Sequence, residues 1–102
     1  MKLETENLII KRDTMKSKFY FPTEQAKDAV LDYTLHTNGE PNVMEITHTF
    51  VPTELREKGI AQKMTHAALE FADTNDYKVK TACPFAADYL DKHPEFSHLK
   101  NN

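Results

Sequence analysis

The sequence lacks paired cysteines, long apolar runs and an apolar segment near its start. Its one cysteine, Cys83, cannot form an internal disulfide, so nothing indicates an oxidising compartment. No apolar run approaches the ~18 residues that a membrane-spanning helix requires. Residues 1–6 include acidic side chains where an export signal would have its apolar core. These absences predict a cytoplasmic protein with no membrane partner.

The chain also lacks an excess of basic residues. Its 13 lysines and arginines stand against 16 acidic residues, which gives a net charge of −3. A general nucleic-acid binder would carry a basic surface that displaces counterions from phosphates, so we expect no nucleic-acid partner. The five histidines show no paired spacing on a helix, and Cys83 has no second cysteine nearby. No metal site is therefore predicted.

The length and the periodicity of the chain predict a single domain, residues 1–102, with one buried core. Four segments have the composition or the alternation of β-strands: residues 8–10, 18–21, 29–36 and 43–51. A polar turn at 11–13 should join the first two as a hairpin. The Asn-Gly pair at 38–39, which suits positive φ, should reverse the chain between the last two. The result is an antiparallel meander.

The second half of the sequence predicts helices around one more strand. Apolar residues recur at helical spacing and define one face of a long helix: Ile60, Met64, Ala67, Ala68, Phe71 and Ala72. This helix should end near Asn75, because asparagine tolerates the left-handed conformation. A strand at 77–83 would then complete a parallel crossover, followed by a short helix at 86–92 and a loosely held tail. The predicted class is α/β (α+β), with a mixed, mostly antiparallel sheet.

The junction between the fourth strand and the long helix, residues 50–61, is the strongest functional signal. It contains the run Arg56-Glu57-Lys58-Gly59-Ile60-Ala61. A helix start presents unpaired N–H groups and a positive dipole end, and a glycine lets a bulky anion approach the backbone. The run lacks the Gly-Lys-Ser/Thr ending of a nucleoside triphosphate loop and the tight Gly-x-Gly of a dinucleotide-binding fold, so it fits a single diphosphate. A plain turn is the alternative.

The pattern Arg56-x-x-Gly59-x-Ala61 resembles the Gln/Arg-x-x-Gly-x-Gly/Ala signature of the GNAT superfamily of acetyl-CoA-dependent N-acetyltransferases. The runs at 47–52, 83–85 and 93–96 are similar to its short stand-alone acetyl-CoA-binding branch. The resemblance covers residues from about 31 to 96. It implies a compact GNAT-like fold, acetyl-CoA (coenzyme A) as cofactor, and acyltransferase activity toward an amine of unknown identity, either a small molecule or a protein.

The resemblance also implies which residues contact the coenzyme. The loop and helix start would hold the diphosphate: Arg56, Glu57, Lys58, Gly59, Ile60 and Ala61. The preceding strand end, Phe50 and Val51, would hold the acetyl-pantetheine arm and the thioester carbonyl. Cys83 lies where ligands of parallel sheets bind. Phe85, just before the short helix, and Tyr89, on that helix, would flank the arm.

The chain departs from the superfamily pattern in two places. Full-length members insert two helices after the first strand and add strands after the last helix, whereas this sequence has room for one short helical turn at 23–27. The superfamily also places a tyrosine where it can protonate the departing thiolate. Leu90 occupies that position here and Tyr89 precedes it, so packing at a helix–sheet boundary is the alternative role of Tyr89.

Acetyl transfer requires a base for the amine, and Glu45 and His48 are the candidates. Glu45 lies eleven residues before Arg56, where the histone-acetylating branch carries its base. On an undistorted strand Glu45 and His48 would point to opposite faces, so only one is expected to reach the site. An ordinary strand residue is the alternative for each.

Cys83 adds a third catalytic candidate, because a thiolate could accept the acetyl group and pass it on. A buried inert thiol is the alternative. The leading function is thus N-acetyl transfer, with the N–H of Val51 polarising the thioester carbonyl. A non-catalytic or weakly catalytic acyl-CoA binding or sensing module is the second possibility, and an interaction domain without coenzyme is the third.

Overall fold

The fold is built on a five-stranded sheet whose spatial order follows the chain. The computed structural model describes residues 10–22, 28–56 and 59–101. The strands are β1 (Lys11–Asp13), β2 (Lys18–Phe21), β3 (Ala29–His36), β4 (Val43–Phe50) and β5 (Lys78–Thr81). The first four pair antiparallel, and β4 and β5 pair parallel.

Helices follow β4 and β5. Helix α1 (Ile60–Thr74) connects the parallel pair, and α2 (Pro84–Lys92) follows β5. Short 3₁₀ helices cover Thr53–Leu55 and Pro94–Leu99. This arrangement confirms the predicted α+β class, with a mostly antiparallel sheet and one parallel crossover. In the described part of the chain, no helix is long and apolar enough to cross a bilayer.

One face of the sheet and one face of α1 form the core. The strands alternate, and the buried members share the face that packs on α1: Phe19, Leu31, Tyr33, Met44 and Ile46. The buried residues of α1 include Ile60, Met64, Thr65, Ala68, Leu69 and Ala72. The hydroxyl of Thr65 donates to the carbonyl of Ala61 at 2.8 Å, which satisfies the one buried polar side chain of this helix. The predicted amphipathic helix is confirmed.

The segment after α2 is part of the core, and the expected loosely held tail is wrong for residues 94–101. Phe96 and Leu99 are buried. The N–H of Asn101 donates to the carbonyl of Val79 at 3.0 Å, beside a parallel bridge between Val79 and Lys100. The tail therefore covers the outer edge of β5, because two apolar side chains hold it against the helices.

Two predicted turns differ in the structure. Residues 11–13 form β1 rather than a turn, and the reversal falls at 14–17, where the Asp13 carboxylate accepts the N–H groups of Met15 and Lys16. Residues 8 and 9 of the predicted first strand at 8–10, and the helical turn at 23–27, lie outside the described residues, and Ile10 precedes β1. The Asn-Gly pair at 38–39 does not adopt positive φ.

The ends of α1, β5 and α2 also differ from the predicted ends by one to a few residues. Asp76, with φ of 62°, takes the left-handed conformation expected of Asn75. Strand β5 is shorter than predicted, because Cys83 already precedes the first turn of α2. Pro84 begins α2 two residues before the predicted start, since its fixed φ suits the first helical position.

Strand β4 contains one extra residue. Asp32 lies opposite His48, but its neighbour Tyr33 lies opposite Ile46, so Thr47 is inserted between them. The hydroxyl of Thr47 donates to the carbonyl of Asp32 at 3.2 Å. An inserted residue resets the alternation of a strand, so Glu45 and His48 lie on the same face of the sheet. The expectation of opposite faces is wrong because the strand is distorted.

Candidate functional site

The two parallel strands part before β4 ends. Their pairing reaches Ile46 and Thr81, and the N–H of Ala82 donates to the carbonyl of Ile46 at 2.9 Å. Strand β4 continues to Phe50, whereas the other chain turns into α2 at Pro84. Residues 47–50 therefore have β3 as their one strand partner within the described ranges. Backbone groups on the other side of this segment can bind a ligand.

The start of α1 faces the same region with free N–H groups. Gly59 precedes the helix in the left-handed conformation, with φ of 80°. The helical bonding starts with the N–H of Lys63, which donates to the carbonyl of Gly59 at 3.0 Å. The N–H groups of Ile60, Ala61 and Gln62 have no helical acceptor, and no side chain among the described residues caps them. Together with the helix dipole, they favour an anion.

A cavity of about 270 Å³ lies between the strand end and this helix start. We call it the strand-end cavity, and its lining includes Val51, Arg56, Gly59, Ala61 and Phe85. The Nε of Arg56 donates to the carbonyl of Val51 at 3.0 Å, which closes the loop between strand and helix.

A second cavity of about 280 Å³, the helix-side cavity, adjoins the first. It is lined by Gly59, Gln62, Lys63, His66 and Tyr89. The two cavities share Gly59 and Gln62, so the helix start forms the boundary between them. We call the two cavities together the groove; they extend from the end of β4 to the contact between α1 and α2.

Tyr89 contacts α1 in this groove. Its hydroxyl lies 3.4 Å from Nδ1 of His66, and Nε2 of His66 lies 3.4 Å from Glu70. The ring of Tyr89 stacks on His93 with centroids 3.8 Å apart. Burial raises the pKa of Tyr89, and the negative charges of Glu95 and Glu70 raise it further. The phenol is thus protonated and engaged in the helix-side cavity.

Cys83 lies at the start of α2, where its sulfur is buried beside β4. It is 8% exposed, and Sγ lies 3.4 Å from the hydroxyl of Thr49. Burial raises the pKa of the thiol, but hydrogen bonds from the Thr49 hydroxyl and from the N–H groups of Ala86, Phe85 and Thr49 outweigh it. The net pKa of Cys83 lies below the ordinary value. A helix start stabilises a thiolate in this way.

We expect Cys83 to alkylate with a pH midpoint below that of an unperturbed cysteine thiol, because its surroundings lower the pKa. Because a lowered pKa means that the thiolate persists to lower pH, the iodoacetamide rate should stay high as the pH falls toward neutral. Mass spectrometry of the intact protein measures this rate. Thr49→Val should raise the midpoint by removing the hydroxyl, whereas Thr34→Val, at an exposed position of β3, should not. A midpoint above that of a free thiol would contradict the assignment.

The two candidate bases lie on the other face of the sheet from Cys83. Thr49, which contacts the sulfur, pairs with core residue Leu31, whereas Glu45 and His48 share the opposite face. Oε1 of Glu45 lies 2.9 Å from Nε2 of His36. His48 is exposed. The structure therefore brings Cys83 together with Thr49 but separates this pair from both candidate bases.

The cofactor contacts implied by the sequence divide into three groups. Those lining the groove are Val51, Arg56, Gly59, Ile60, Ala61, Phe85 and Tyr89. Two do not line the groove: Phe50 pairs with Val30 on the opposite face, and Cys83 has its buried sulfur against Thr49. Glu57 and Lys58 lie outside the described residues.

Sequence reasoning missed Thr49, Gln62 and His66. Gln62 and His66 follow Gly59 at helical spacing, so extending the motif along the helix surface would have found them. The contact between Thr49 and Cys83 joins residues 34 positions apart and has no local signal.

Comparisons with known proteins agree with this geometry. Residues 18–99 match the family model described as GCN5-related N-acetyl-transferase. Protein NATD1 of Gallus gallus is 30% identical over 59 residues, which are 58% of this chain and 54% of that protein. Protein NATD1 of Homo sapiens is 33% identical over 58 residues, 57% and 51% of the two chains. The chain spans about half the length of these curated relatives.

A solved structure shares the fold over nearly the whole chain. The solution structure of a GCN5-like protein from Staphylococcus aureus superposes with a TM-score of 0.71 and 28% sequence identity. The match covers 94% of this chain and 90% of that one. The similarity therefore includes the sheet and both helices.

Proposed function

Because this chain belongs to the GCN5-related N-acetyltransferase family, we propose that it binds acetyl-CoA in the groove and transfers the acetyl group to an amine. The single observation that carries the proposal is the uncapped start of α1 between two adjoining cavities. A coenzyme with a diphosphate between two extended ends matches this arrangement. Its charge would satisfy the N–H groups of Ile60, Ala61 and Gln62.

The acetyl-pantetheine arm would extend from the helix start into the strand-end cavity. On the side of residues 47–50 away from β3, the N–H of Thr49 faces Cys83, and the remaining backbone groups could bind the amides of the arm in place of a strand. The thioester would then lie near Val51, whose N–H would stabilise negative charge on the carbonyl oxygen during attack. Phe85 lines the same cavity and excludes water from the arm.

In direct transfer, the amine nitrogen attacks the thioester carbonyl, the C–S bond breaks, and coenzyme A leaves as a thiol after it takes up a proton. A base removes the proton that the amine loses. His48 suits this role better than Glu45, because His48 lies beyond the point where β4 and β5 part. The carboxylate of Glu45 is held by His36 instead.

A covalent route through Cys83 is the alternative to direct transfer. Its thiolate would attack the carbonyl, release coenzyme A and carry the acetyl group as a thioester, which the amine then attacks. The low pKa of the thiol and its place beside Thr49 favour this step. An acetyl adduct on intact protein that Cys83→Ala removes would identify the covalent route, and its absence in quenched samples would leave direct transfer.

A second function, acyl-CoA binding or sensing without transfer, is favoured by one observation. The hydroxyl of Tyr89 contacts His66 in the helix-side cavity, whereas a proton donor for the departing thiolate would be needed at the strand end. The groove could therefore hold the coenzyme without efficient release of its thiol.

Calorimetric titration followed by a turnover assay separates these functions. We expect saturable binding of one acetyl-CoA per chain, and coenzyme A release above hydrolysis with at least one polyamine, amino-acid or peptide acceptor. Chromatography should detect the released coenzyme, because thiol reagents also modify Cys83. Binding with release at the hydrolysis background for every acceptor supports the sensing function. No binding at millimolar acetyl-CoA overturns both.

A further inference from the structure

The face of the sheet opposite α1, which we call the outer face, carries an apolar row across three strands. Tyr20 on β2 pairs in register with Val30 on β3, and Val30 pairs with Phe50 on β4. Each of these side chains is half-buried and points away from the core. Neighbouring strands lie about 4.8 Å apart, so the row extends about 10 Å. It ends at the residue before Val51, where the groove begins.

Charged side chains flank this apolar row, and their sign changes across the sheet. On the β1 side, Lys11 pairs with Tyr20, and the ammonium of Lys18 lies 5.6 Å from the centre of the Tyr20 ring. Nearer to β5, the half-buried Asp32 on β3 pairs with the exposed His48 on β4. The outer face is therefore positive at one end of the apolar row and has a carboxylate and an imidazole near the other end.

Two opposite charges lie next to these groups. Lys18 pairs in register with Asp32, and Asp13 pairs with Lys18. Within the part of the chain that the structure describes, however, no salt bridge joins Lys18 to either carboxylate. The Lys18 ammonium lies over Tyr20 instead, and the Asp13 carboxylate accepts two N–H groups of the turn between β1 and β2. A half-buried carboxylate without a counterion, as at Asp32, favours a cationic ligand.

We propose that the acceptor amine binds on the outer face, and that it is a primary amine joined by an apolar chain to an anionic group. This inference rests on the proposed function, because it takes His48 as the base. The ammonium of the acceptor lies against Asp32 and gives its proton to His48. The apolar chain lies over Val30, and the anionic group contacts Lys18. The free amine then attacks the thioester where β4 and β5 part, beyond Ile46.

The same order of charges disfavours polyamines. When the first ammonium of a polyamine lies at Asp32, a second one at the far end of the apolar chain comes close to Lys11 and Lys18. Like charges repel at this distance, and the half-buried row offers little solvent to screen them. A simple alkylamine keeps the contacts with Asp32 and Val30 but loses the contact with Lys18. It should therefore be an acceptor of intermediate quality.

The test compares three acceptors with the same chain of six carbons: 6-aminohexanoate, hexylamine and 1,6-diaminohexane. Chromatography measures the coenzyme A released from acetyl-CoA by the natural protein. We expect kcat/KM to be about tenfold higher for 6-aminohexanoate than for hexylamine, because a charge-assisted contact contributes roughly that factor. The value for 1,6-diaminohexane should be lower still. Equal values for the three acceptors, or the highest value for the diamine, would overturn the inference.

Two variants assign the contacts. Lys18→Gln should bring the ratio between 6-aminohexanoate and hexylamine toward one, and Asp32→Asn should raise the KM of both amines. Neither change should alter the Kd of acetyl-CoA, because both residues lie on the face away from the groove. The matched control is Lys92→Gln on α2, where the lysine pairs with Asp88, and it should leave the ratio unchanged. An unchanged ratio in Lys18→Gln would contradict the inference.

The remaining outcomes separate this inference from the proposed function. Failure of acetyl-CoA to bind would overturn the proposed function. Coenzyme A release with polyamines or peptides, but not with 6-aminohexanoate, would overturn the inference and leave acetyl transfer in place. Binding of acetyl-CoA without release for any amine would also overturn the inference, and it would support the sensing function.

A second measurement depends neither on turnover nor on the folding of a variant. When the natural protein is saturated with coenzyme A and titrated with 6-aminohexanoate, amide NMR signals should shift at Lys18, Val30 and Asp32. Hexanoate, which lacks the amino group, should shift Asp32 less. Shifts confined to α1 and α2, or equal shifts at Asp32 with both probes, would contradict the proposed placement of the acceptor.

Discussion

Replacing Gly59 with glutamate should weaken acetyl-CoA binding at least ~100-fold, or about 2.8 kcal/mol. Gly59 has φ of 80°, which strains any residue with a Cβ. The added carboxylate would also compete for the free N–H groups of Ile60, Ala61 and Gln62 and repel the diphosphate. Calorimetric titration measures the loss directly.

Two further variants separate the charge from the strain. Gly59→Ala adds strain without charge and should weaken binding less than Gly59→Glu. Gly39→Glu makes the same chemical change in a distant turn, where φ is not positive and an added Cβ would make ordinary contact, so binding should be unchanged. Natural affinity in a folded Gly59→Glu protein would exclude the helix start as the diphosphate site.

The largest effect on stability is expected from Leu31→Ala. Leu31 is fully buried in β3, between β2 and β4, so its removal leaves a cavity in the centre of the core. Such changes cost about 3–5 kcal/mol, a large share of the ~5–15 kcal/mol that stabilises a typical domain. The melting temperature should fall by more than ~12 °C.

Urea unfolding gives the corresponding free energy. Leu35→Ala is the matched control, because Leu35 lies on the same strand and core face but is only partly buried. It should cost clearly less than Leu31→Ala. Equal losses for the two variants would show that burial in this core does not set the stability as the structure implies.

Local sequence patterns predict those strands and helices in which buried and exposed side chains alternate regularly. The alternation along residues 29–36 predicts both ends of β3, because buried and exposed side chains differ in polarity at each step. The inserted Thr47 in β4 has no such pattern, since the pairing with Asp32, fifteen positions earlier, decides it. The face on which His48 lies therefore cannot be predicted from the sequence of β4 alone.

The candidate site also contains features that the local sequence predicts and contacts that it does not. Gly59 and the helix start are visible in one short run of sequence, because their geometry depends on neighbouring residues. The contacts of Cys83 with Thr49 and of Tyr89 with His66 join residues 34 and 23 positions apart. Only the packing of α2 against α1 and β4 brings these groups together, so no local pattern could predict them.

The fastening of the tail onto β5 also affects how copies of the chain can associate. An outer strand with free backbone groups is a template for strands of other molecules, and native sheets commonly block such edges. Here the N–H of Asn101 donates a hydrogen bond to the carbonyl of Val79 on the outer side of β5. The buried side chains of Phe96 and Leu99 thus do more than fill the core. They hold in place the segment that blocks pairing of this edge with a strand of another molecule.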